Sequence, residues 1–437
     1  MSEATRDHEM VATPALPSRS ARRRVVFAGA IGSAVEYYDY GIYGYLATTF
    51  AALFFPSENP TAALLSTFAV FAISFVVRPL GGVLFGHLGD RFGRRTALAA
   101  AVIIMSLGTF AIGLLPSYAA IGFVAPLLLV VARLVQGMSA GGENPGAASY
   151  VAEISPPARR GLLCSMPQVG SNIGLLVASG MIGTMYLAMT PEQINAGGWR
   201  IPFLLALPFG IVGLYVRLRL EDSPAFRRIE ERGDIAKLPI VEVVTKSWTS
   251  VLRTFGICLV DFAGYYIVFV YLTVYLQREG GFGAAGANWS TTAALIVGTL
   301  TIPLFGHWSD RIGRKATLRI GCVAFIVLTI PMFLLMRAGS MPLAILGHCV
   351  LGVCVAAIMG PLFATLAEVF GTRVRYSGFA LGFNIAAIVT GGTAPYLATW
   401  LIKQTGNTMS PGFLLIVAAA LTLASLIGLR ETARSEL

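Results

Sequence analysis

The feature that most constrains this chain is a succession of long, almost purely apolar segments. Three of the clearest are residues 98–115, 201–218 and 413–429, close to the roughly 20 apolar residues that a bilayer-spanning helix needs. Apolar residues make up 56% of the 437 and charged residues only 12%, more apolar surface than a soluble core can bury. Segments of this length cross a membrane as helices, not as barrel strands. The sequence therefore predicts an all-α membrane protein with about twelve transmembrane helices.

The polar segments between the apolar stretches alternate between rich and poor in basic residues. This alternation predicts the orientation of the chain in the membrane. The net charge is +10, but the basic residues gather in short polar gaps instead of one stripe, which argues against nucleic-acid binding. Basic loops mark the cytoplasmic side, so both termini are predicted to be cytoplasmic. The proposed cytoplasmic gaps hold Arg91, Arg94, Arg95, Arg159, Arg160, Arg311, Arg314, Lys315, Arg373 and Arg375, whereas the outer gaps hold only Arg200, Arg278, Arg337 and Lys403.

The chain divides into two halves that repeat each other. Residues 86–95, Gly-His-Leu-Gly-Asp-Arg-Phe-Gly-Arg-Arg, recur as Gly-His-Trp-Ser-Asp-Arg-Ile-Gly-Arg-Lys at 306–315. Two six-helix halves related by duplication are a transporter architecture. We predict a cytoplasmic tail at 1–24, an N-terminal six-helix half at 25–220, a polar cytoplasmic loop at 221–252, a C-terminal six-helix half at 253–430 and a cytoplasmic tail at 431–437.

The repeated segment closely resembles the signature loop of major facilitator transporters, in the gaps after the second and eighth spans. The resemblance implies two pseudo-symmetric halves of six helices. Each aspartate can pair with nearby arginines and a helix end, forming a latch that one cavity orientation keeps and the other breaks. The simpler alternative is that such basic loops only fix topology. The proposed latch residues are Gly86, Asp90, Arg91, Gly93, Arg94, Asp310, Arg311, Gly313 and Arg314.

Further motifs narrow the resemblance to the metabolite:proton symporter family, whose members import organic acids or osmolytes. These motifs are Glu-Tyr-Tyr-Asp-Tyr-Gly-Ile-Tyr at 36–43, Arg-Pro-Leu-Gly-Gly at 78–82, Arg-Leu-Val-Gln-Gly at 133–137 with Gly-Gly-Glu at 141–143, and Gly-Gly-Thr-Ala-Pro at 391–395. The resemblance covers nearly everything between residues 25 and 430. One departure lies at Asn144 and Pro145, where the family usually has an aromatic residue and glycine. Because a proline bends or loosens a helix, the substrate class stays open.

The resemblance implies a secondary active transporter that works by alternating access. We expect proton-coupled import of a small organic acid such as a dicarboxylate, ketoglutarate, citrate or shikimate. The alternative is an osmolyte symporter for proline or betaine. A drug:proton antiporter is a weaker alternative, because Gly170 to Gly174 of the fifth span are not followed by the proline of the antiporter motif. A non-transporting receptor is also weaker, because only a few residues follow Arg430.

Enzyme chemistry is not expected, because the chain has no GxSxG, Walker or HExxH motif. We expect no catalytic residues, no metal and no cofactor, with the proton gradient as the energy source. The five cysteines lie in or beside apolar segments without a CxxC pair, which predicts free thiols. The expected partners are the substrate, protons and the lipid bilayer. We expect a multi-pass protein of the inner or plasma membrane that works as a monomer.

Carboxylates inside the first span are the leading candidates for proton coupling. Ionisable residues within spans cost about 2.5 to 3.5 kcal/mol each on insertion scales, so each is a functional candidate. Glu36 and Asp39 lie at i and i+3 on one face, with Tyr43 further along it. Two carboxylates this close repel in a dry site, which favours a state in which one holds a proton. The alternative is that both lie near the cytoplasmic surface and pair with residues 22–24.

The fourth span carries a second polar group. Gln136 and Glu143 are seven residues apart and are predicted to share a face, with Arg133 offset from it. Arg133 is the best candidate for binding an anion or switching partners, and the alternative is a structural partner for Asp39 or Glu143. Gly137 and Gly141 have the small-xxx-small spacing that lets membrane helices pack closely.

The second half offers fewer candidates. Asp261 in the seventh span has Tyr265 one turn later, and we predict that both line the cavity. An aromatic belt at the membrane interface would explain some of the tyrosines that follow equally well. His348 in the tenth span could relay protons or only join helices by hydrogen bonds. Cytoplasmic gate charges are predicted at Glu153 and Arg159, with Arg160, and at Glu368 and Arg373, with Arg375.

Overall fold

The computed structural model describes residues 19–92, 94–218, 243, 245, 247–371 and 374–433, and all regular secondary structure within them is helical. This confirms the all-α prediction. The helices before the central loop are α1 (Arg19–Tyr45), α2 (Ala47–Phe54), α3 (Pro60–Val76), α4 (Arg78–Phe92), α5 (Arg94–Leu114), α6 (Tyr118–Ile121), α7 (Val124–Ala140), α8 (Glu143–Ile154), α9 (Arg160–Cys164), α10 (Met166–Ala188), α11 (Pro191–Gln193), α12 (Arg200–Leu204) and α13 (Ala206–Leu218).

The helices after the central loop begin at Trp248, ahead of the predicted boundary at 253. Two of the described spans in this half contain a π-helical turn, at Ile267–Tyr271 and at Ala387–Gly392. The helices of this half are α14 (Trp248–Tyr266), α15 (Leu272–Arg278), α16 (Ala284–Ile312), α17 (Arg314–Met336), α18 (Met341–Val369), α19 (Arg375–Ala386), α20 (Ala394–Thr405) and α21 (Ser410–Ser425).

Nine helical stretches in the described ranges are long and apolar enough to cross a bilayer. Helix α1 and two shorter apolar helices, Ala99–Leu114 and Ser410–Ser425, occupy the places of the first, third and twelfth predicted spans, so the arrangement is consistent with twelve. The nine are Pro60–Phe85 (second span), Val124–Ile154 (fourth), Pro157–Ala188 (fifth), Pro191–Val216 (sixth), Trp248–Arg278 (seventh), Ala284–Ile312 (eighth), Arg314–Met336 (ninth), Met341–Val369 (tenth) and Arg375–Thr405 (eleventh).

Helix ends follow local sequence signals. The second span starts with proline at its first position, and Asn59 Oδ1 accepts hydrogen bonds from the backbone N–H groups of Thr61 (3.0 Å) and Ala62 (3.2 Å). The fourth span is interrupted where Gly141 and Gly142 separate α7 from α8. That interruption determines which residues of the fourth span share a face.

Glycines bring spans of one half close together. A Cβ atom at Gly137 would collide with the backbone of Ser74, and one at Gly141 with the backbone of Arg78. The fourth span therefore packs directly on the second, which confirms the packing role predicted for both glycines. This contact also brings Arg78 beside the fourth span.

The seventh span lies inside the bundle. Its most apolar stretch is 100% buried, whereas only 33% of the corresponding stretch of the ninth span is buried. The outer spans instead expose large apolar side chains such as Leu300 and Ile211, as expected of a surface that faces lipid. The chain is therefore a multi-pass membrane protein.

The two halves meet along several helices. Helix α10 packs against α16, α3 packs against the π-helical turn Ala387–Gly392, and α1 packs against the π-helical turn Ile267–Tyr271. The first, second and fifth spans thus face the seventh, eighth and eleventh spans. Polar side chains on these surfaces are the candidates for a site between the halves.

Candidate functional site

Glu36 and Asp39 are both buried in α1, and each is paired with a different arginine. Three residues along a helix place two side chains about 60° apart around its axis, so neighbouring helices can contact them separately. Glu36 forms an ion pair with Arg78 of α4, and Asp39 forms one with Arg133 of α7. The structure thus differs from the expected pair of mutually repelling carboxylates, because each one has its own cation.

Asp39 is the centre of a buried polar cluster. Arg133 Nη1 lies 2.9 Å from Asp39 Oδ2, while Oδ1 accepts hydrogen bonds from Gln136 Nε2 (2.7 Å) and Thr109 Oγ1 (2.9 Å). The Arg133 guanidinium lies 3.7 Å from the centre of the Tyr43 ring, a cation–π contact. Within the described ranges, Nε and Nη2 of Arg133 have no hydrogen-bond partner. The cluster therefore combines a carboxylate that can take a proton with an arginine that has unused hydrogen-bond donors among the described residues.

Glu36 belongs to a second cluster closer to the predicted cytoplasmic end. Besides its ion pair with Arg78, its Oε2 accepts a hydrogen bond from Asn144 Nδ2 (3.2 Å). Ser33 donates to Asn144 Oδ1 (3.2 Å). Nε and Nη1 of Arg78, like the free nitrogens of Arg133, lack a partner in the part of the chain that is described. Asn144, where the sequence departs from the family pattern, thus contacts the first-span carboxylate directly.

Gln136 and Glu143, predicted to share a face, lie on either side of an interruption in the fourth span. The glycine pair Gly141 and Gly142 ends α7, and Glu143 is the first residue of α8. Gln136 joins the Asp39 cluster, whereas Glu143 is buried at the start of α8 and is not among the partners of Asp39. Of the two, only Gln136 is positioned to respond when Asp39 changes charge.

Asp261 and Tyr265 lie where the seventh span faces the first. Both are at most 5% exposed, and Asp261 Oδ1 and the Tyr265 hydroxyl have no hydrogen-bond partner among the described residues. The Tyr265 ring packs edge-to-face on Tyr37 of α1, with 5.1 Å between ring centres. Two buried polar groups without partners at the contact between the halves are unusual, because such groups are nearly always hydrogen-bonded.

His348 is bound within the second half. Its Nδ1 lies 3.0 Å from Ser290 Oγ, and its Nε2 lies 2.7 Å from the carbonyl oxygen of Val268. It therefore joins the tenth, eighth and seventh spans. A role in relaying protons remains a prediction.

Asp310 of the second signature loop binds a helix start in the other half. Its two carboxylate oxygens accept hydrogen bonds from the backbone N–H groups of Gly161 (2.7 Å) and Leu162 (3.0 Å) in α9. Arg314 Nη1 lies 2.8 Å from Asp310 Oδ1. A carboxylate at the start of a helix is stabilised by the free N–H groups and the helix dipole. This geometry fits the predicted latch.

Gly313, at the end of the same loop, has φ of 104°. Residues with a side chain rarely adopt this region, which explains a glycine immediately before Arg314. Arg311, in contrast, is exposed.

Glu368 lies at the centre of the cytoplasmic gate. Its Oε1 lies 3.0 Å from Arg160 of the first half and 3.3 Å from Arg314 of the second, and Thr432 donates a hydrogen bond to its Oε2 (2.6 Å). Arg159, which the sequence analysis assigned to the gate, is exposed, whereas the neighbouring Arg160 is buried. Glu368 therefore ties both halves together.

A second contact between the halves lies beside Glu153. Arg375 Nη1 lies 3.1 Å from Glu153 Oε1. Close by, Asn384 Nδ2 donates to the carbonyl oxygen of Gly141 (3.0 Å) and the Tyr376 hydroxyl donates to that of Gly142 (3.1 Å). The eleventh span thus binds the break in the fourth span.

Part of the predicted latch and gate lies outside the described residues. In the first signature loop, the parts that are not described are Gly86, Gly93 and the side chains of Asp90, Arg91 and Arg94. In the predicted gate, Arg373 is not described. Among the residues that are described, no group of three or more His, Cys, Asp or Glu side chains could hold a metal ion.

Two contributors to the site were missed in the sequence. Thr109 and Tyr37 both lie in apolar helices and contact the clusters described above. Tyr37 belongs to the quoted first-span motif, and its place beside Glu36 was a usable signal. Thr109 is a single hydroxyl in an apolar segment, and only the three-dimensional structure places it on Asp39.

Comparison with known sequences matches both halves of the chain. The family described as "Sugar (and other) transporter" matches residues 25–247, and the "Major Facilitator Superfamily" matches residues 254–436. The proline/betaine transporter of Escherichia coli is 37% identical over 95% of this chain and 85% of its own length. A glycine betaine/proline/ectoine/pipecolic acid transporter of Dickeya dadantii is 38% identical over 95% of this chain and 84% of its own length. An inner membrane metabolite transport protein of E. coli is 37% identical over 99% of both chains.

Solved structures share the fold. The partially occluded inward-open form of the xylose transporter from E. coli has a TM-score of 0.73, with 18% identity over 96% of this chain and all of the other. A crystal structure of a D-xylose-proton symporter also has a TM-score of 0.73, with 19% identity over 95% of this chain and 99% of the other. At this identity the likeness establishes the arrangement of helices.

Proposed function

Because this chain belongs to the major facilitator superfamily and is a transporter, not an enzyme, we propose that it imports a small zwitterionic osmolyte of the proline or betaine kind together with protons. The observation that carries the proposal is the set of relatives named for proline and betaine, which match 95% of the chain at 37–38% identity. The proposal replaces the organic acid as the preferred substrate. It also places the protein in a bacterial inner membrane, where a metabolite transport relative of similar identity is named.

The charges between the halves support a substrate without net charge. Two buried arginines, Arg78 and Arg133, pair with the buried carboxylates of Glu36 and Asp39, and a third buried carboxylate, Asp261, lies in the seventh span. The arginines are already paired with Glu36 and Asp39, and Asp261 makes no ion pair among the described residues. A dianion entering this region would meet an excess of negative charge in surroundings of low dielectric. A zwitterion brings one charge of each sign and avoids that repulsion.

Proton coupling is assigned to the Asp39 cluster. We assign an ionised Asp39 to the closed form, because it accepts from Arg133, Gln136 and Thr109 at once. A proton on Asp39 removes the charge that holds Arg133 and turns one acceptor oxygen into a donor. Arg133 then turns its donors towards the cavity or the substrate. The proton thereby changes the relative free energy of the two cavity orientations, as coupling requires.

Alternating access is assigned to the contacts between the halves. In this structure Glu368 and Asp310 join the halves at the cytoplasmic end, and the first and seventh spans are packed together in the middle. The conformation is therefore closed to the cytoplasm. Release of the substrate into the cell requires the contacts of Glu368 and Asp310 to break while the outer contacts form or persist.

Uptake by the purified protein in proteoliposomes tests the proposal. Labelled proline, glycine betaine, citrate, 2-ketoglutarate and shikimate are each supplied outside, with and without an inward proton gradient. We expect proline or betaine to accumulate above the outside concentration only with the gradient, and a protonophore to abolish the accumulation. The Asp39→Asn variant is expected to exchange labelled for unlabelled substrate but not to accumulate it.

Three outcomes would contradict the proposal. Gradient-driven uptake of an organic acid, without uptake of the zwitterions, would restore the original preference. Accumulation of substrate without a proton gradient would remove the coupling. Binding without transport under any gradient would favour a receptor.

A further inference from the structure

Five aromatic rings form a continuous cluster across the contact between the two halves. Its members, which we call the aromatic cluster, come from the first, second and seventh spans and are buried in the described structure: Tyr37, Tyr40, Phe75, Tyr265 and Tyr266. Ring centres lie 5.1 Å apart for Tyr37 and Tyr265, 5.4 Å for Tyr265 and Tyr266, 5.2 Å for Phe75 and Tyr266, and 6.3 Å for Tyr40 and Tyr266. The cluster thus spans the surface along which the halves must separate.

The rings pack mostly edge-to-face. Tyr266 meets Phe75 at 88° and Tyr40 at 90°, and Tyr37 meets Tyr265 at 75°. In such a pair the positive edge of one ring lies on the negative face of the other, which is where a cation would bind. When the halves separate, the ring edges of one half move away from the ring faces of the other. Those faces then become available to a ligand. Separation therefore creates sites suited to a substituted ammonium group.

A buried carboxylate, one of whose oxygens has no partner in the described structure, lies beside the cluster. Asp261 is one helical turn before Tyr265, is 5% exposed, and has an oxygen without a hydrogen-bond partner among the described residues. Hydroxyl groups of Tyr265 and Tyr266 are likewise unpartnered. An ionised carboxylate that is buried without a cation is strongly unfavourable. Binding of a positive group beside Asp261 would therefore lower the free energy of the site.

An arginine whose Nε and Nη1 have no partner among the described residues contacts two rings of the cluster. The Arg78 guanidinium is 5.3 Å from the centre of the Phe75 ring and 5.7 Å from that of Tyr40. Its pairing with Glu36 uses Nη2, whereas Nε and Nη1 have no partner in the described part of the protein. These two donors lie on different edges of the guanidinium, because Nη2 belongs to both of its two-nitrogen edges, so each of them can donate a single hydrogen bond to a carboxylate.

We propose that the aromatic cluster and Asp261 bind the substituted ammonium end of the substrate, while a free donor of Arg78, Nε or Nη1, donates a hydrogen bond to its carboxylate. The inference rests on the proposed function and adds the orientation of the zwitterion between the halves. It also gives the substrate a direct effect on Glu36, because Arg78 is shared between the substrate carboxylate and Glu36. The opposing explanation is that the rings only fill space between the halves, in which case the charge of the ligand does not matter to them.

Glycine betaine and 3,3-dimethylbutanoate separate these explanations, because they have the same shape and carboxylate and differ only in a quaternary nitrogen or carbon. Binding of each to the purified protein is measured by isothermal titration calorimetry, which does not depend on transport. We expect the protein to bind betaine at least about tenfold more tightly than the carbon analogue. In Asp261→Asn this preference is expected to fall to about threefold or less. Tyr266→Leu is expected to weaken betaine about tenfold and the analogue far less.

Matched controls are available on exposed positions. Glu192→Gln removes an exposed carboxylate and Tyr118→Leu an exposed ring, and neither is expected to alter the preference. Equal affinity of the unmodified protein for both ligands, or a full preference retained in Asp261→Asn, would overturn the inference. In either case gradient-driven uptake of betaine would leave the proposed function standing. If the protein binds neither ligand, the inference is wrong, and uptake then decides separately whether the proposed function is wrong as well.

Discussion

The two ends of the interface between the halves are held together by different chemistry. At the predicted cytoplasmic end the contacts are the buried charge pair of Arg160 with Glu368, the partly exposed pair of Arg375 with Glu153, and the binding of Asp310 to the start of α9. Removing one member of a buried charge pair costs about 3–5 kcal/mol, because the other charge is left buried without a partner. The cytoplasmic end therefore opens only when several of these charged groups exchange their present contacts for new ones in the same step.

The outer end is held by single hydrogen bonds. The Tyr45 hydroxyl donates to the carbonyl oxygen of Phe269 (2.8 Å), and the hydroxyl oxygens of Ser179 and Thr292 lie 2.8 Å apart. Each such bond contributes about 0.5–1.5 kcal/mol. The comparison indicates that the closed form opens more readily to the outside than to the cytoplasm. Substitutions at the two ends should therefore differ in size and have opposite effects on the conformational equilibrium.

A native cysteine reports on the cytoplasmic end. Cys164 is fully buried at the end of α9, close to the charges of Glu368, Arg314, Arg160 and Asp310. Opening of the gate exposes its thiol, so its rate of reaction with a maleimide measures the population open to the cytoplasm. The other four cysteines, Cys258, Cys322, Cys349 and Cys354, are replaced by alanine for these measurements.

The largest effect is expected for Glu368→Gln. The substitution leaves the buried guanidinium groups of Arg160 and Arg314 without their shared carboxylate. With a loss of about 3 kcal/mol in the closed form, labelling of Cys164 should accelerate on the order of 100-fold. Glu58→Gln, in an exposed outer loop, serves as the control and should leave the rate unchanged. An unchanged rate in Glu368→Gln would show that the charge pairs do not hold the gate.

A smaller effect in the same direction is expected for Asp310→Asn. The amide loses the charge that binds Arg314 but keeps one oxygen for the N–H groups of Gly161 and Leu162. A loss of about 1–2 kcal/mol predicts labelling of Cys164 about tenfold faster. Slower labelling than in the parent protein would contradict the latch, because it would mean that Asp310 favours the open form.

Much of the cytoplasmic end could be predicted from the sequence, because charged residues in short loops of an apolar chain have few possible roles. The second signature loop and Glu368 were identified from sequence, and the structure places Asp310 and Arg314 together with Glu368. The sequence could not choose between Arg159 and Arg160, since that choice depends on which residue of a short turn points inwards. Here Arg160 is buried and Arg159 is exposed.

The centre of the molecule was less predictable. Pairing of Asp39 with Arg133 was proposed as the structural alternative, and the structure contains that pair. The partner of Glu36 was not proposed, because Arg78 reaches it only through the close packing of the second span. The shared face predicted for Gln136 and Glu143 assumed one uninterrupted helix, whereas Gly141 and Gly142 interrupt the helix between them. Helical periodicity holds only within one uninterrupted helix.

The C-terminal residues test whether the gate has a further support. Glu431 accepts hydrogen bonds from the backbone N–H groups of Arg314 (2.8 Å) and Lys315 (3.1 Å), so it caps the start of α17. Glu431→Gln keeps an acceptor but loses the charge at a helix start, a loss of about 0.5–1 kcal/mol. Labelling of Cys164 should accelerate about two- to fivefold. A change as large as that of Glu368→Gln would mean that the tail, and not the gate charges, dominates.

An effect as small as that of Glu431→Gln, and the only one of opposite sign, is expected at the outer end. Ser179→Ala removes the hydroxyl that joins α10 to Thr292 and to the carbonyl oxygen of Asn288 in α16. A loss of about 0.5–1 kcal/mol on that side favours the form that is open to the outside and closed to the cytoplasm, so Cys164 should react about two- to fivefold more slowly. Ser66→Ala, at an exposed position of the second span, provides the matched control. Faster labelling of Cys164 in Ser179→Ala would contradict this prediction. It would mean that the fifth and eighth spans separate along their whole length, so that weakening their outer contact also weakens the cytoplasmic contacts. In that case the two ends would not open independently. Their different chemistry would then determine only the height of one free-energy barrier, shared by opening at both ends.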